Sequence, residues 1–109
     1  MRRFGQELGI RPECIDAYRH HHAKIWPEIA RAIRAAGIRN YSIFLRGDHL
    51  FAYYEYTGPA DEYEARMDAL AQAPRMREWW DLMEPMQVPD PDLAPGAWWS
   101  DMEEVFHQD

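Results

Sequence analysis

Asn40-Tyr41-Ser42-Ile43-Phe44-Leu45, then Arg46-Gly47-Asp48-His49, then Leu50-Phe51-Ala52-Tyr53-Tyr54-Glu55-Tyr56: two strongly apolar runs flank a polar link that contains the glycine a tight turn favours. This pattern predicts a β-hairpin. Both strands are apolar or aromatic on their two faces. Tyr41, Ile43 and Leu45 oppose Phe44, while Leu50, Ala52 and Tyr54 oppose Phe51 and Tyr53. A sheet with one wet face alternates more cleanly. The chain's own helices can cover one face, but 109 residues leave little for the other. A second copy of the chain is the economical cover, so the reading predicts a homodimer through the sheet.

Upstream of the hairpin, Phe4, Leu8 and Ile10 share one side of a period-2 pattern that predicts a first strand, with Gln6 its polar exception and Pro12 its end. From Glu13 to Ala36 the residues Ile15, Tyr18, His22, Ile25, Ile29, Ile33 and Ala36 recur at helical spacing, and Gly37 stops the run. Pro27 lacks a backbone N–H and clashes with the preceding turn, so the helix is expected to kink or restart near Trp26. Downstream, Pro59 to Ala71 forms a second helical stretch that breaks at Pro74 and resumes through Met76, Trp79, Trp80 and Met83. Pro85, Pro89, Pro91, Pro95 and Gly96 predict an irregular arm across residues 85–100, and Met102 to His107 a short last strand. The order strand, helix, strand, strand, helix, strand is the ferredoxin-like βαββαβ arrangement. It is an α+β fold in which a four-stranded antiparallel sheet carries helices on one face, here as one domain over residues 1–109.

Composition narrows the partners. The formal net charge is −7, spread along the chain, which repels phosphate backbones and anionic membranes and leaves a neutral small molecule as the fitting ligand. The single cysteine, Cys14, closes no internal disulfide. The N-terminus lacks the apolar core of a signal peptide and no run approaches a membrane span, so a cytoplasmic location is expected. Five Trp, six Tyr and four Phe are a heavy aromatic load for this length, suited to sugar sites and to dimer seams.

His22 lies in the apolar stripe of the first helix, one turn from Tyr18, so both point toward the sheet. An imidazole near pKa 6.5 gives and takes protons at neutral pH, and so serves general acid-base catalysis; a core histidine bonded to a carbonyl fits the same pattern. The run His20-His21-His22 is not read as a metal site, because consecutive helical side chains point about 100° apart and do not converge on one ion. Trp79 and Trp80 fit either a cleft wall or the core, and Trp98-Trp99 has the same ambiguity. Nucleophile-elbow, phosphate-loop and dinucleotide motifs are absent from the sequence.

Taken together, Tyr18, His22-Ala23-Lys24-Ile25-Trp26-Pro27-Glu28, Gly37-Ile38-Arg39-Asn40-Tyr41-Ser42-Ile43-Phe44-Leu45, Trp79-Trp80 and Met102-Glu103-Glu104-Val105-Phe106-His107 resemble the L-rhamnose mutarotase family over nearly the whole chain. The resemblance implies a dimeric ferredoxin-like protein that interconverts the anomers of a deoxy-sugar without metal or organic cofactor. By position it implies His22 as proton donor, Tyr18 and Tyr41 as sugar contacts, and Trp79 with Trp80 as the tryptophan pair of the sugar site. On that basis protonated His22 is expected to donate to the ring oxygen, with a water or tyrosine handling the second proton. The alternatives carried forward are L-fucose or another deoxy-hexose as substrate, a small dimeric oxygenase, and a non-catalytic sugar-binding dimer.

Overall fold

In the computed structural model, which describes residues 1–94 and 97–109, the chain is an α+β protein built on one antiparallel sheet. Pro95 and Gly96, expected in the irregular arm, lie outside the described residues. In chain order the elements are β1 (Arg2–Ile10), α1 (Ile15–Ala23), α2 (Pro27–Ala35), β2 (Ile38–Arg46), β3 (His49–Tyr56), α3 (Tyr63–Gln72), α4 (Pro74–Met83), β4 (Gln87–Val88) and β5 (Ser100–Met102). The sheet runs β2-β3-β1-β4. β1 pairs with β3 from Arg2↔Tyr56 to Gly9↔His49. Its other edge is shared: β4 pairs with Gly9 and Ile10, and β5 with Gly5 to Glu7.

Prolines divide both predicted helical stretches. Trp26 and Ala73 are held extended before Pro27 and Pro74, and each proline then starts a new helix at the position where its missing N–H costs nothing. The first stretch therefore restarts rather than bends, and the break at Lys24–Trp26 removes Ile25 from the inward stripe. Ile25 is exposed, contrary to its helical periodicity. The core proper combines Leu8, Ile10 and Leu50 of the sheet with Ile29 of α2 and Met76, Trp79 and Met83 of α4. Each such burial contributes about 1.5–3 kcal/mol.

The last strand is shifted from its expected place. β5 is Ser100–Met102, and Glu103 to Asp109 form no regular element, leaving Val105 and Phe106 exposed. The fourth sheet position is instead begun by β4, within the stretch expected to be irregular. β4 approaches β1 so closely that a Cβ on Gly9 would stand 2.8 Å from the Val88 carbonyl oxygen. Glycine at that point admits the strand.

A bulge in β2 decides what faces the helices. Ile38 pairs with Tyr56 and Arg39 with Glu55, but the next pair is Ser42 with Tyr53, so Asn40 and Tyr41 together oppose Tyr54. Asn40 adopts φ +52, a left-handed conformation that Asn tolerates better than most residues, and its amide reaches outward to Glu55 Oε1 at 2.8 Å. The extra residue moves the inward parity from Ile38 to Tyr41, Ile43 and Leu45. Phe44, Phe51 and Tyr53 stay on the opposite face, where Phe44 is 63 % exposed.

Candidate functional site

The inward face of α1 meets the bulged part of the sheet around Tyr18 and His22. Their rings stack at 4.2 Å between centroids, and Trp79 of α4 meets the His22 ring edge-on at 5.5 Å. His22 Nδ1 lies 2.9 Å from the Tyr18 carbonyl oxygen. A carbonyl only accepts, so Nδ1 carries the hydrogen and the neutral ring keeps its lone pair on Nε2. Burial lowers the His22 pKa, with a smaller push down from His21, against an upward pull from the carbonyl bond. The imidazole is thus predominantly neutral at pH 7 and has one open, basic nitrogen.

The bulge delivers Tyr41 to the same region. Its ring is 5.4 Å from Tyr54, and its hydroxyl is pushed up to about 12, chiefly by burial and then by the neighbouring Tyr18 hydroxyl. The residue is nevertheless 40 % exposed. With its pKa raised, Tyr41 is a neutral hydrogen-bonding phenol at physiological pH. Tyr18 is likewise raised by burial, opposed by a hydrogen bond from Gln87.

Trp79 is buried and is the member of its pair that meets His22; it also touches Trp26 edge-on at 5.1 Å. Trp80, about 100° around the helix, packs half-buried against the core cluster. Of the five residues singled out in sequence, His22 thus meets the rings of both Tyr18 and Trp79, Tyr41 lies near enough to Tyr18 for the two hydroxyls to influence each other, and Trp80 packs against the core cluster that holds Tyr18 and Trp79. His20 and His21 face each other edge-on at 5.9 Å rather than joining His22. Among the described residues no group of three or more His, Cys, Asp or Glu side chains is placed to hold a metal ion.

Sequence reasoning passed over several neighbours. Trp26 receives the Arg75 guanidinium at 3.8 Å over its ring, and Arg75 is held by Glu28 and Glu78 at 3.2 and 2.6 Å. Gln87 Nε2 donates to the Tyr18 hydroxyl at 3.2 Å, and Trp98 Nε1 donates to Gln87 Oε1 at 2.8 Å. The aromatic excess signals the tryptophans, but a lone glutamine among prolines carries no periodic signal. Two surface hollows, about 420 Å³ beside Leu8, Asp48 and Val88 and about 580 Å³ beside Phe4, Tyr53 and Phe106, include none of the five site residues. Their linings lack a buried proton-transfer group, so the chemistry points to the His22 cluster.

The family model described as L-rhamnose mutarotase matches residues 3–108. Among similar sequences, an L-rhamnose mutarotase of Opitutus terrae is 36 % identical over 104 residues, covering 94 % of this chain and 93 % of the relative. One of Burkholderia cenocepacia is 41 % identical over 102 residues, covering 92 % and 91 %. A crystal structure of an L-rhamnose mutarotase from Formosa agariphila superposes with a TM-score of 0.77 at 26 % identity, covering both chains completely.

Proposed function

Since the chain belongs to the L-rhamnose mutarotase family, we propose that it is an isomerase interconverting the α and β anomers of L-rhamnose at the cleft between α1, β2 and α4. The observation that carries this reading is His22 with Nδ1 against the Tyr18 carbonyl, leaving Nε2 for the sugar, its ring stacked on Tyr18 and edged by Trp79.

Mutarotation removes the proton from the anomeric hydroxyl and adds one to the ring oxygen; the C1–O bond of the ring breaks, a C1 carbonyl forms, and closure on its other face gives the second anomer. Both oxygens are bonded to C1, so a single nitrogen can serve both. The lowered His22 pKa favours an order opposite to the one expected from sequence. Neutral Nε2 first withdraws the anomeric proton, and the resulting imidazolium then protonates the ring oxygen. General acid-base help of this kind supplies typically about 10² to 10⁴-fold. Tyr18 and Tyr41 orient the oxygens of the sugar, and the Trp79-Trp80 pair walls its apolar face.

The remaining organisation is read in the same way. The order β2-β3-β1-β4 supports a ferredoxin-like single domain, and the exposed Phe44 on the sheet face opposite Tyr41 supports a homodimer through the sheet. A neutral sugar suits a chain of net charge −7 better than a nucleic acid or membrane surface. The lone Cys14 supports the reducing cytoplasm.

Saturation transfer between anomeric protons, measured by NMR across L-rhamnose, L-fucose and other hexoses, tests activity and substrate together. Exchange is expected to be fastest on L-rhamnose and to fall about 10²-fold or more in His22→Ala. Wild-type exchange at the buffer rate would overturn the enzyme reading, and an unaffected His22→Ala the role of the imidazole.

A further inference from the structure

Gln87 is the buried polar side chain of the described core, at 7 % exposure on β4 beside Ile10. It bridges two aromatic side chains. Trp98, on the arm leading into β5, places its indole N–H 2.8 Å from Gln87 Oε1, and Gln87 Nε2 stands 3.2 Å from the Tyr18 hydroxyl. The donor inventory leaves one way to arrange these bonds. An indole nitrogen only donates, so the amide oxygen must face Trp98 and the amide NH₂ must face Tyr18. The NH₂ also only donates, so the Tyr18 oxygen accepts from it. A phenol has one proton, and that proton is not spent on Gln87.

We propose that Gln87 is a positioning residue which, locked by Trp98, turns the Tyr18 O–H into the cleft as a donor to the sugar ring oxygen. This inference rests on the mutarotase reading above. It makes the stacked pair a matched set: the His22 Nε2 lone pair takes the anomeric hydroxyl proton, while the adjacent Tyr18 O–H meets the ring oxygen, an acceptor on the same carbon. Negative charge gathers on the ring oxygen as its bond to C1 breaks, so a fixed donor there acts more strongly in the transition state than on the resting sugar. Bonds passed along Trp98, Gln87 and Tyr18 reinforce one another. The arm thereby reaches the chemistry without touching the substrate.

Gln87→Glu keeps the shape and reverses the polarity, because an ionised carboxylate accepts from both Trp98 and Tyr18. The expected result is a loss in kcat/KM on the order of 10-fold in the wild-type background and no further loss in a Tyr18→Phe background. An equal loss in both backgrounds, or no loss, overturns the proposal. Should Gln87→Glu fail to fold, Gln87→Met, which deletes donor and acceptor together, is taken through the same cycle with the same two criteria. The sugar-free protein supplies a separate arm. The ¹³Cζ resonance of Tyr18, assigned by its loss in Tyr18→Phe, is expected to move downfield in Gln87→Glu as the phenol changes from acceptor to donor; an unmoved resonance overturns the relay. Wild-type exchange at the buffer rate would instead count against the mutarotase reading, leaving the resonance to decide the hydrogen-bond polarity.

Discussion

His22 shows how far one residue can be read before its surroundings are known. Its place on the inward stripe and its distance from Tyr18 follow from helical spacing, whereas its protonation state follows from the carbonyl at 2.9 Å and from burial, neither of which spacing encodes. The sign of the pH dependence comes from the same facts. The proposed mechanism needs the neutral ring in the free enzyme, and burial holds the pKa below its ordinary value near 6.5. Accordingly kcat/KM should rise with pH through that lowered pKa and be level at neutrality. With Tyr18 and Tyr41 both raised, no fall is expected near pH about 10, where an ordinary tyrosine ionises. A profile that declines as pH rises from 5 to 7, about the range in which histidine titrates, would restore the imidazolium as the form that acts first.

At the scale of elements, the hairpin was legible because apolar runs around a glycine admit few alternatives, and the helix restart because Pro27 has no N–H. The bulge was not. The motif Asn40-Tyr41-Ser42 looks like ordinary strand, and only pairing with β3 shows that Asn40 carries φ +52 and resets the inward face. Asn40→Val places a β-branched residue in a left-handed conformation and removes the bond to Glu55; urea unfolding should register a loss of about 1–3 kcal/mol. Exchange activity should fall with it as Tyr41 leaves its position. Asn40→Gly keeps the bulge, and its activity should stay close to wild type; equal activity in both variants would show that the bulge does not place Tyr41. The last strand escaped sequence reading for a related reason. Val105 and Phe106 look like sheet residues, yet Ser100–Met102 takes the edge of β1 and leaves them exposed.

Across the whole molecule, sequence reading found the antiparallel sheet and its helices because apolar periodicity is a property of each segment alone. How the cleft closes depends on parts distant in sequence, such as Gln87 under Tyr18 and Arg75 over Trp26, and on the proposed second copy. Phe44 is 63 % exposed on the outer face of the sheet, so Phe44→Arg should leave the fold of one chain intact while opposing association. Sedimentation at micromolar concentration is expected to give a dimer for the wild type and a shift toward monomer for the variant; a wild-type monomer would remove the case for sheet-to-sheet packing.

β4 and β5 both pair with the same edge of β1, so Val88 and Ser100 on either side of the intervening residues are tied to one strand. Trp98, close before the second of these anchors, touches Gln87. Under the proposed relay, a change between these two anchors can reach Tyr18 through Trp98 and Gln87 while the pairings with β1 stay in place.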